Sequence, residues 1–257
     1  MVIYILEALG KEVIRVLEIA GRLANLVGET LYHILRGRIN NTNIFRQMAH
    51  LGVDTLPIIL LTMLFTGMVM TMQTAHEFLK YGAGSTVGGV VSIAMGRELG
   101  PVFTGVVAAG RIGAAIAAEI GSMKVTEQID ALRVMATNPI AYLVVPRVIA
   151  CIIMLPLLVI FADAIGTFGG YFVATKYFAI SSHIYTSSIT AFAEVNDVTG
   201  GLIKAAVFGF IIAIIGCYKG LCASEGAEGV GHATTGSVVT SIVLIFVTNY
   251  FLSLMLY

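Results

Sequence analysis

Five ionisable residues stand inside the long apolar runs of this chain: Arg97, Glu98, Arg111, Asp163 and Lys204. A charge in the hydrocarbon core of a membrane is costly, so each is a candidate for function or for a buried pair. A guanidinium such as Arg97 can hold a phosphate by two parallel hydrogen bonds, and an ammonium such as Lys204 can hold it as a point charge. Arg97, Glu98 and Lys204 are therefore the candidate lipid-binding residues, with a phospholipid head group as ligand. The competing reading makes Arg97 and Glu98 a structural ion pair with Arg97 snorkelling, and pairs Lys204 with Asp163. Arg111 has no evident partner and reads as a buried structural contact. Asp54, Glu119 and Asp197 read as span-end residues. Other chemistries find no support: His76-Glu77 lacks a second His at the metalloprotease interval, and no Gly-x-Ser-x-Gly elbow occurs. Cys151, Cys217 and Cys222 show no metal or redox spacing and read as small core residues. No catalytic residue, no metal and no cofactor of its own is expected.

A second polar feature lies at the end of an apolar stretch, in EIGSMKVTEQIDALRVM, Glu119 to Met135. Val125, Ile129 and Leu132 fall at i, i+4 and i+7 and make one apolar face. Thr126, Asp130 and Arg133 make the opposite one, with Glu127 beside them. So short a helix is marginal alone and needs a surface to dock on. Placed between two long apolar segments, it has the geometry of a lever: a force on it moves the helices on either side.

The elements that must position these residues follow from composition. Of 257 residues, 58% are hydrophobic and 12% charged, where soluble domains carry about 25% charged residues. With apolar runs of roughly 20 residues, that deficit specifies an all-α integral membrane protein rather than a barrel of alternating strands. The formal net charge of +0 argues against a nucleic-acid partner. Five spans can be drawn, near residues 53–74, 85–121, 140–175, 200–221 and 237–256. The second, roughly 55 Å if straight, exceeds the ~30 Å core and must tilt, bend or protrude. Pro101 should kink it, and a re-entrant segment over 85–96 is the rival to a full span. Met63, Met68, Met70 and Met72 of the first span could line a cavity for acyl chains or face bulk lipid.

Residues 1–45 form an interfacial amphipathic helix region and no secretory signal, since Glu7 and Lys11 interrupt its apolar run. Glu7, Lys11, Arg15, Glu18, Arg22, Asn25, Glu29, His33 and Arg36 recur at spacings of three or four. Ile5, Leu9, Val13, Val16, Ala20, Leu23, Val27 and Leu31 run along the other face. The whole chain, 1–257, reads as one domain: that helix, spans one and two over 53–121, a short cytoplasmic helix within 122–137, and spans three to five over 140–257. Lys11, Arg15, Arg22, Arg36, Arg38 and Arg46, with Lys124, Arg133 and Arg147, lie on one side, against Lys80 and Lys176 on the other. The excess of positive charge on cytoplasmic loops then places the N-terminus and the polar segment inside and the C-terminus outside.

The second span carries two ridges of small residues. Gly84, Gly88, Ser92, Gly96, Gly100, Thr104 and Ala108 recur every four positions, and Gly105, Ala109, Gly113, Ala117 and Gly121 form a ridge beside them. Small residues at this interval let helices approach closely in lipid. They serve either packing within the chain or the seam of a homodimer.

The stretch ELGPVFTGVVAAGRIGAAIAAEIGSMKVTEQIDAL, Glu98 to Leu132, resembles the signature of the MlaE (YrbE) family of ABC-transporter permeases. The similarity extends over nearly the whole chain, through Ala233-Thr234-Thr235 before the last span. The resemblance implies the non-catalytic transmembrane subunit of a phospholipid transporter in the inner membrane of a bacterium with two membranes, N-terminus cytoplasmic and C-terminus periplasmic. It implies a homodimer, two copies of a cytoplasmic ABC ATPase that binds ATP and Mg, an MCE-domain periplasmic ring protein and, in some systems, a STAS-domain protein. It also implies that Glu127, Gln128, Ile129, Asp130, Leu132 and Arg133 form the coupling helix that docks into the ATPase. The sequence agrees in one respect: no G-x-x-x-x-G-K-[ST] phosphate loop occurs, so ATP would be hydrolysed by a partner chain. The rival function is an ion-coupled secondary carrier using Glu98, Arg111 and Asp163; it lacks the inverted repeats expected of such carriers and leaves the polar segment without a purpose.

Overall fold

The computed structural model describes residues 2–37 and 41–257, with the side chains of 2–9, 12, 15 and 16 left aside. Arg38 and the side chains of Ile5, Glu7, Leu9, Arg15 and Val16 therefore lie outside the described residues. The described chain folds into eight helical runs: α1 (Val2–Leu35), α2 (Asn41–Lys80), α3 (Gly84–Val125), α4 (Gln128–Val134), α5 (Ile140–Lys176), α6 (Ser182–Phe192), α7 (Val195–Leu221) and α8 (Gly226–Leu256). Five of them, α2, α3, α5, α7 and α8, are long and apolar enough to cross a membrane. No strand occurs among the described residues. This is an all-α membrane protein.

Helix α5 is central, packed along α2 on one side and α7 on the other, while α7 and α8 enclose the C-terminal half of α3. Glycines make these approaches possible. A Cβ at Gly67 of α2 would strike the Gly166 carbonyl of α5, and one at Gly209 of α7 would meet the Cys151 carbonyl 2.5 Å away. In lipid, where apolar burial gives no drive between helices, such backbone contact and its dispersion energy hold the bundle.

The second small-residue ridge of α3 is spent inside the chain. Ala109 and Ala117 are fully buried, Gly105 faces Phe208 and Ile245, and Gly121 faces Ala223 and Val230. At Gly113 the carbonyl accepts a 3.1 Å bond from Ser237 Oγ of α8. The first ridge also meets its own chain, with Gly88 against the Tyr185 backbone and Gly100 against Asp163.

Helix α3 runs without reversal from Gly84 to Val125, so 85–96 is the N-terminal part of a continuous helix and not a re-entrant segment. Pro101 is absorbed by a π-helical turn at Met95–Leu99, in which the Gly100 amide donates to the Met95 carbonyl five residues back. Further π turns lie at Met48–Gly52, Ala109–Gly113 and Ile140–Val144.

Two features depart from the sequence reading. Helix α1 docks on the bundle through Leu23, Leu26, Val27, Thr30 and Ile34, and His33, expected on the polar face, is 6% exposed. Val13 and Leu31, expected to share the apolar face with Leu23, point outward instead. A helix resting on both lipid and protein uses two apolar stripes, which a single-face reading merges. The loop between spans three and four contains α6, whose Tyr185 and Ser188 pack against the N-terminal end of α3; the Gly89 amide donates to Ser188 Oγ at 2.9 Å.

Candidate functional site

The π turn at Met95–Leu99 turns Arg97 and Glu98 towards α7 and α8. Arg97 Nε donates to Asp197 Oδ1 at 2.6 Å. The other oxygen of Asp197 accepts the Glu194 amide at 2.9 Å and closes a capping box at the start of α7. One carboxylate thus caps a helix and holds the guanidinium. The Tyr257 ring lies 4.6 Å from the Arg97 guanidinium, and its hydroxyl donates to the Asp197 carbonyl at 3.2 Å. A cation over an aromatic face gains further attraction once water is excluded.

Lys204, with no exposed surface, donates to the Arg97 carbonyl at 2.9 Å, to Glu98 Oε1 at 2.8 Å and to Ser253 Oγ at 2.8 Å. Its three protons are all used. Asn249 Nδ2 donates to Glu98 Oε2 at 2.8 Å. A buried pair is tolerable only when its remaining hydrogen-bonding capacity is satisfied, and this network meets that condition by joining three spans. The structure thus replaces the Arg97–Glu98 pair with Arg97–Asp197, and the Lys204–Asp163 pair with Lys204–Glu98. Of the three candidate lipid ligands, Lys204 is enclosed, while Arg97 and Glu98 keep 36% and 41% of their side chains exposed. Asp197, Asn249, Ser253 and Tyr257 escaped the sequence reading as parts of this site. Only Asp197 carried a signal, as a carboxylate three positions after Glu194 at a helix start.

Asp163 lies elsewhere, beside a cavity bounded by α3, α5 and α6, and forms no ion pair among the described residues. In the same cavity wall, burial pushes the Tyr185 phenol up to about 12. Arg111 is exposed and not buried, and it has a partner: its Nε donates to Thr55 Oγ1 at 3.2 Å, near the start of the first span. Glu98 is held by Lys204 and Asn249, and Arg111 by Thr55. Met63 is fully buried and Met72 is exposed, so the four methionines do not form one lining.

At the other end of α3, Glu119 accepts Arg147 Nη2 at 2.8 Å and lies 3.6 Å from His50 Nδ1. The helix then breaks at Glu127, which adopts the left-handed conformation with φ 59°, and α4 begins. Ile129 is buried in the core and Leu132 packs against it. Glu127, Gln128 and Arg133 are exposed, and Asp130 bonds Arg133 at 3.0 Å and Lys124 at 3.4 Å. Val134 and Met135 project outward at 89% and 74% exposure, an apolar tip that the sequence reading did not single out.

Comparison with known proteins places this geometry. The family model described as Permease MlaE matches residues 44–255. A probable ABC transporter permease protein of Synechocystis is 50% identical over 90% of this chain and 88% of its own length. One of Rickettsia typhi is 42% identical over 100% of this chain and 99% of its own. The chloroplastic protein Trigalactosyldiacylglycerol 1 of Arabidopsis thaliana is 40% identical over 89% of this chain and 65% of its own length. With five spanning helices and a match over most of its length, the chain belongs to the MlaE permease family and is a multi-pass transmembrane subunit of an ABC transporter.

Proposed function

We propose that this permease moves phospholipid between the inner and outer membranes of a bacterial envelope, driven by ATP hydrolysis in a separate chain. Arg97 is the observation that carries this reading. Its Nε is fixed by Asp197, its ring contact by Tyr257, and a third of the side chain stays open near the outer face of the bundle. A preorganised, partly open guanidinium suits a phosphate, and Lys204 and Glu98 hold the turn that presents it. At the inner end, α4 is the coupling helix: Ile129 and Leu132 anchor it, while Glu127, Gln128, Asp130, Arg133 and the Val134–Met135 tip face the ATPase. The assembly is a homodimer with two ATPases, an MCE-domain periplasmic ring and, in some systems, a STAS-domain protein, with the N-terminus cytoplasmic and the C-terminus periplasmic.

The test is ATP-dependent phospholipid transfer by the complex purified with its native partners. Arg97→Ala should lower lipid copurification and transfer, and Arg97→Lys should restore them only in part, since Lys cannot make the planar two-pronged contact. Arg97→Ala combined with Asp197→Asn keeps an acceptor for the helix cap and removes the unpaired charge. Stability should return in that double variant while transfer does not. Return of both would show that Arg97 does not hold the lipid.

A further inference from the structure

Among the described residues, the Arg97 side chain makes one hydrogen bond, from Nε to Asp197 Oδ1, and its two terminal nitrogens make none. A guanidinium tied at one corner can still turn about that bond, and its stance decides where the four remaining N–H groups point. The second restraint is Tyr257, just beyond the end of α8 at Leu256. Its ring centroid lies 4.6 Å from the Arg97 guanidinium carbon and 5.1 Å from Lys204 Nζ. An aromatic face attracts a cation without occupying any of its donors. The ring therefore restrains Arg97 and leaves its terminal N–H groups free for an anion.

The ring is itself held from three directions. Its hydroxyl donates to the Asp197 carbonyl at 3.2 Å, and the Tyr257 amide donates to the Ser253 carbonyl at 3.1 Å. Asn249, Ser253 and Tyr257 stand four residues apart along one edge of α8, and the first two donate to Glu98 at 2.8 Å each. Gly200 of α7 leaves room for the phenol, since a Cβ there would stand only 2.9 Å from the ring carbon Cζ. Tyr257 nevertheless keeps 43% of its surface exposed, so it fills little of the core. We infer that Tyr257 is a positioning residue, which aims the free nitrogens of Arg97 at the anion they meet. The assignment rests on the lipid reading above and adds the residue on which that contact depends.

The experiment titrates phosphatidylethanolamine into detergent micelles that hold the complex purified with its native partners. Lipid-stimulated ATP hydrolysis then gives the half-saturating mole fraction and the maximal rate separately. Tyr257→Leu should raise the half-saturating fraction about fivefold, the size of a cation–aromatic contact, and change the maximal rate by less than about twofold. Tyr257→Phe keeps the ring and loses the hydroxyl bond, and should stay within about twofold of the wild type in both. Gly200→Ala crowds the ring with Tyr257 unchanged; it should raise the half-saturating fraction as well, and it decides the matter if Tyr257→Leu does not fold. A change in the maximal rate alone, or equal losses in the Phe and Leu variants, would make Tyr257 a structural residue and overturn the assignment. An unchanged half-saturating fraction in Tyr257→Leu, beside a raised one in Arg97→Ala, would overturn it and leave the lipid reading standing. No effect of Arg97→Ala would overturn both.

Discussion

Beside the N-terminal half of α3, Lys204 has all three protons bonded within the chain and no exposed surface, and its partners come from two other spans, α3 and α8. Beyond the C-terminal end of α3, the polar side chains of α4 stand in the open, and their partners are sequence neighbours: Asp130 with Arg133 and Lys124, Gln128 with Thr126. The first arrangement holds the bundle together and can be disturbed only at the expense of stability. The second contributes little to folding, because exposed pairs are worth at most about 1 kcal/mol, and leaves its side chains free for a partner. The charges at one end of α3 are thus enclosed and those at the other end are open, with a closely packed helix between them.

Breaking that contrast at the enclosed network should have the largest effect. Lys204→Ala leaves Glu98 without its cation and should destabilise the protein by about 3–5 kcal/mol, read as a fall in Tm in detergent. Lys204→Met with Glu98→Gln should recover most of that loss, because no unpaired charge remains. If the single and double variants melt alike, the network is not the clamp described here.

The connecting segment comes next. Gly113→Leu places bulk against Ile212, Ser237 and Ser241 and should cost about 1–3 kcal/mol, whereas Gly110→Leu, with nothing within 4 Å, should be tolerated. Equal melting of the two variants would remove the close-packing assignment.

On α4 and the residue before it, Glu127→Lys with Asp130→Lys should change Tm by an amount equivalent to about 0.5 kcal/mol or less. It should nevertheless release the ATPase from the purified complex or uncouple its hydrolysis from lipid. Full recovery of a coupled complex would exclude these carboxylates from docking. The smallest change is Glu127→Gly, which relieves a left-handed backbone at φ 59° and should raise stability by about 0.5–1 kcal/mol. A loss of stability there would mean that the Glu127 side chain contributes more than its backbone costs.

Some of this architecture is local and was legible in the residues. The five spans follow from apolar length, and the inward turn of Ile129 and Leu132 from their three-residue spacing; the break at Glu127, which leaves Val125 on α3 and not on the short helix with them, did not. The α1 face was half legible. Its 3.6-residue pattern announces an amphipathic helix, but whether Leu31 or Thr30 faces the bundle depends on where the other helices stand.

The charge partners show why the rest was hidden. Arg97 and Asp197 are 100 positions apart, and Glu98 and Lys204 are 106. No helical periodicity connects residues on different spans; only the depth at which each span crosses and the face it turns inward bring them together. The π turn at Met95–Leu99 compounds this, because an extra residue in one turn rotates everything beyond it, and Pro101 alone signals a bend without saying how it is absorbed. The sequence by itself therefore determined that this is a five-span helical membrane protein with costly charges in its second and fourth spans and a short amphipathic helix between spans two and three. Tertiary structure alone decided that Lys204 would be sealed on Glu98, that Arg97 would stay partly open, and that Asp163 would face a cavity without a cation. Hydrophobic length and periodicity act along the chain, whereas the neutralisation of a buried charge depends on whichever group another helix brings within about 3 Å.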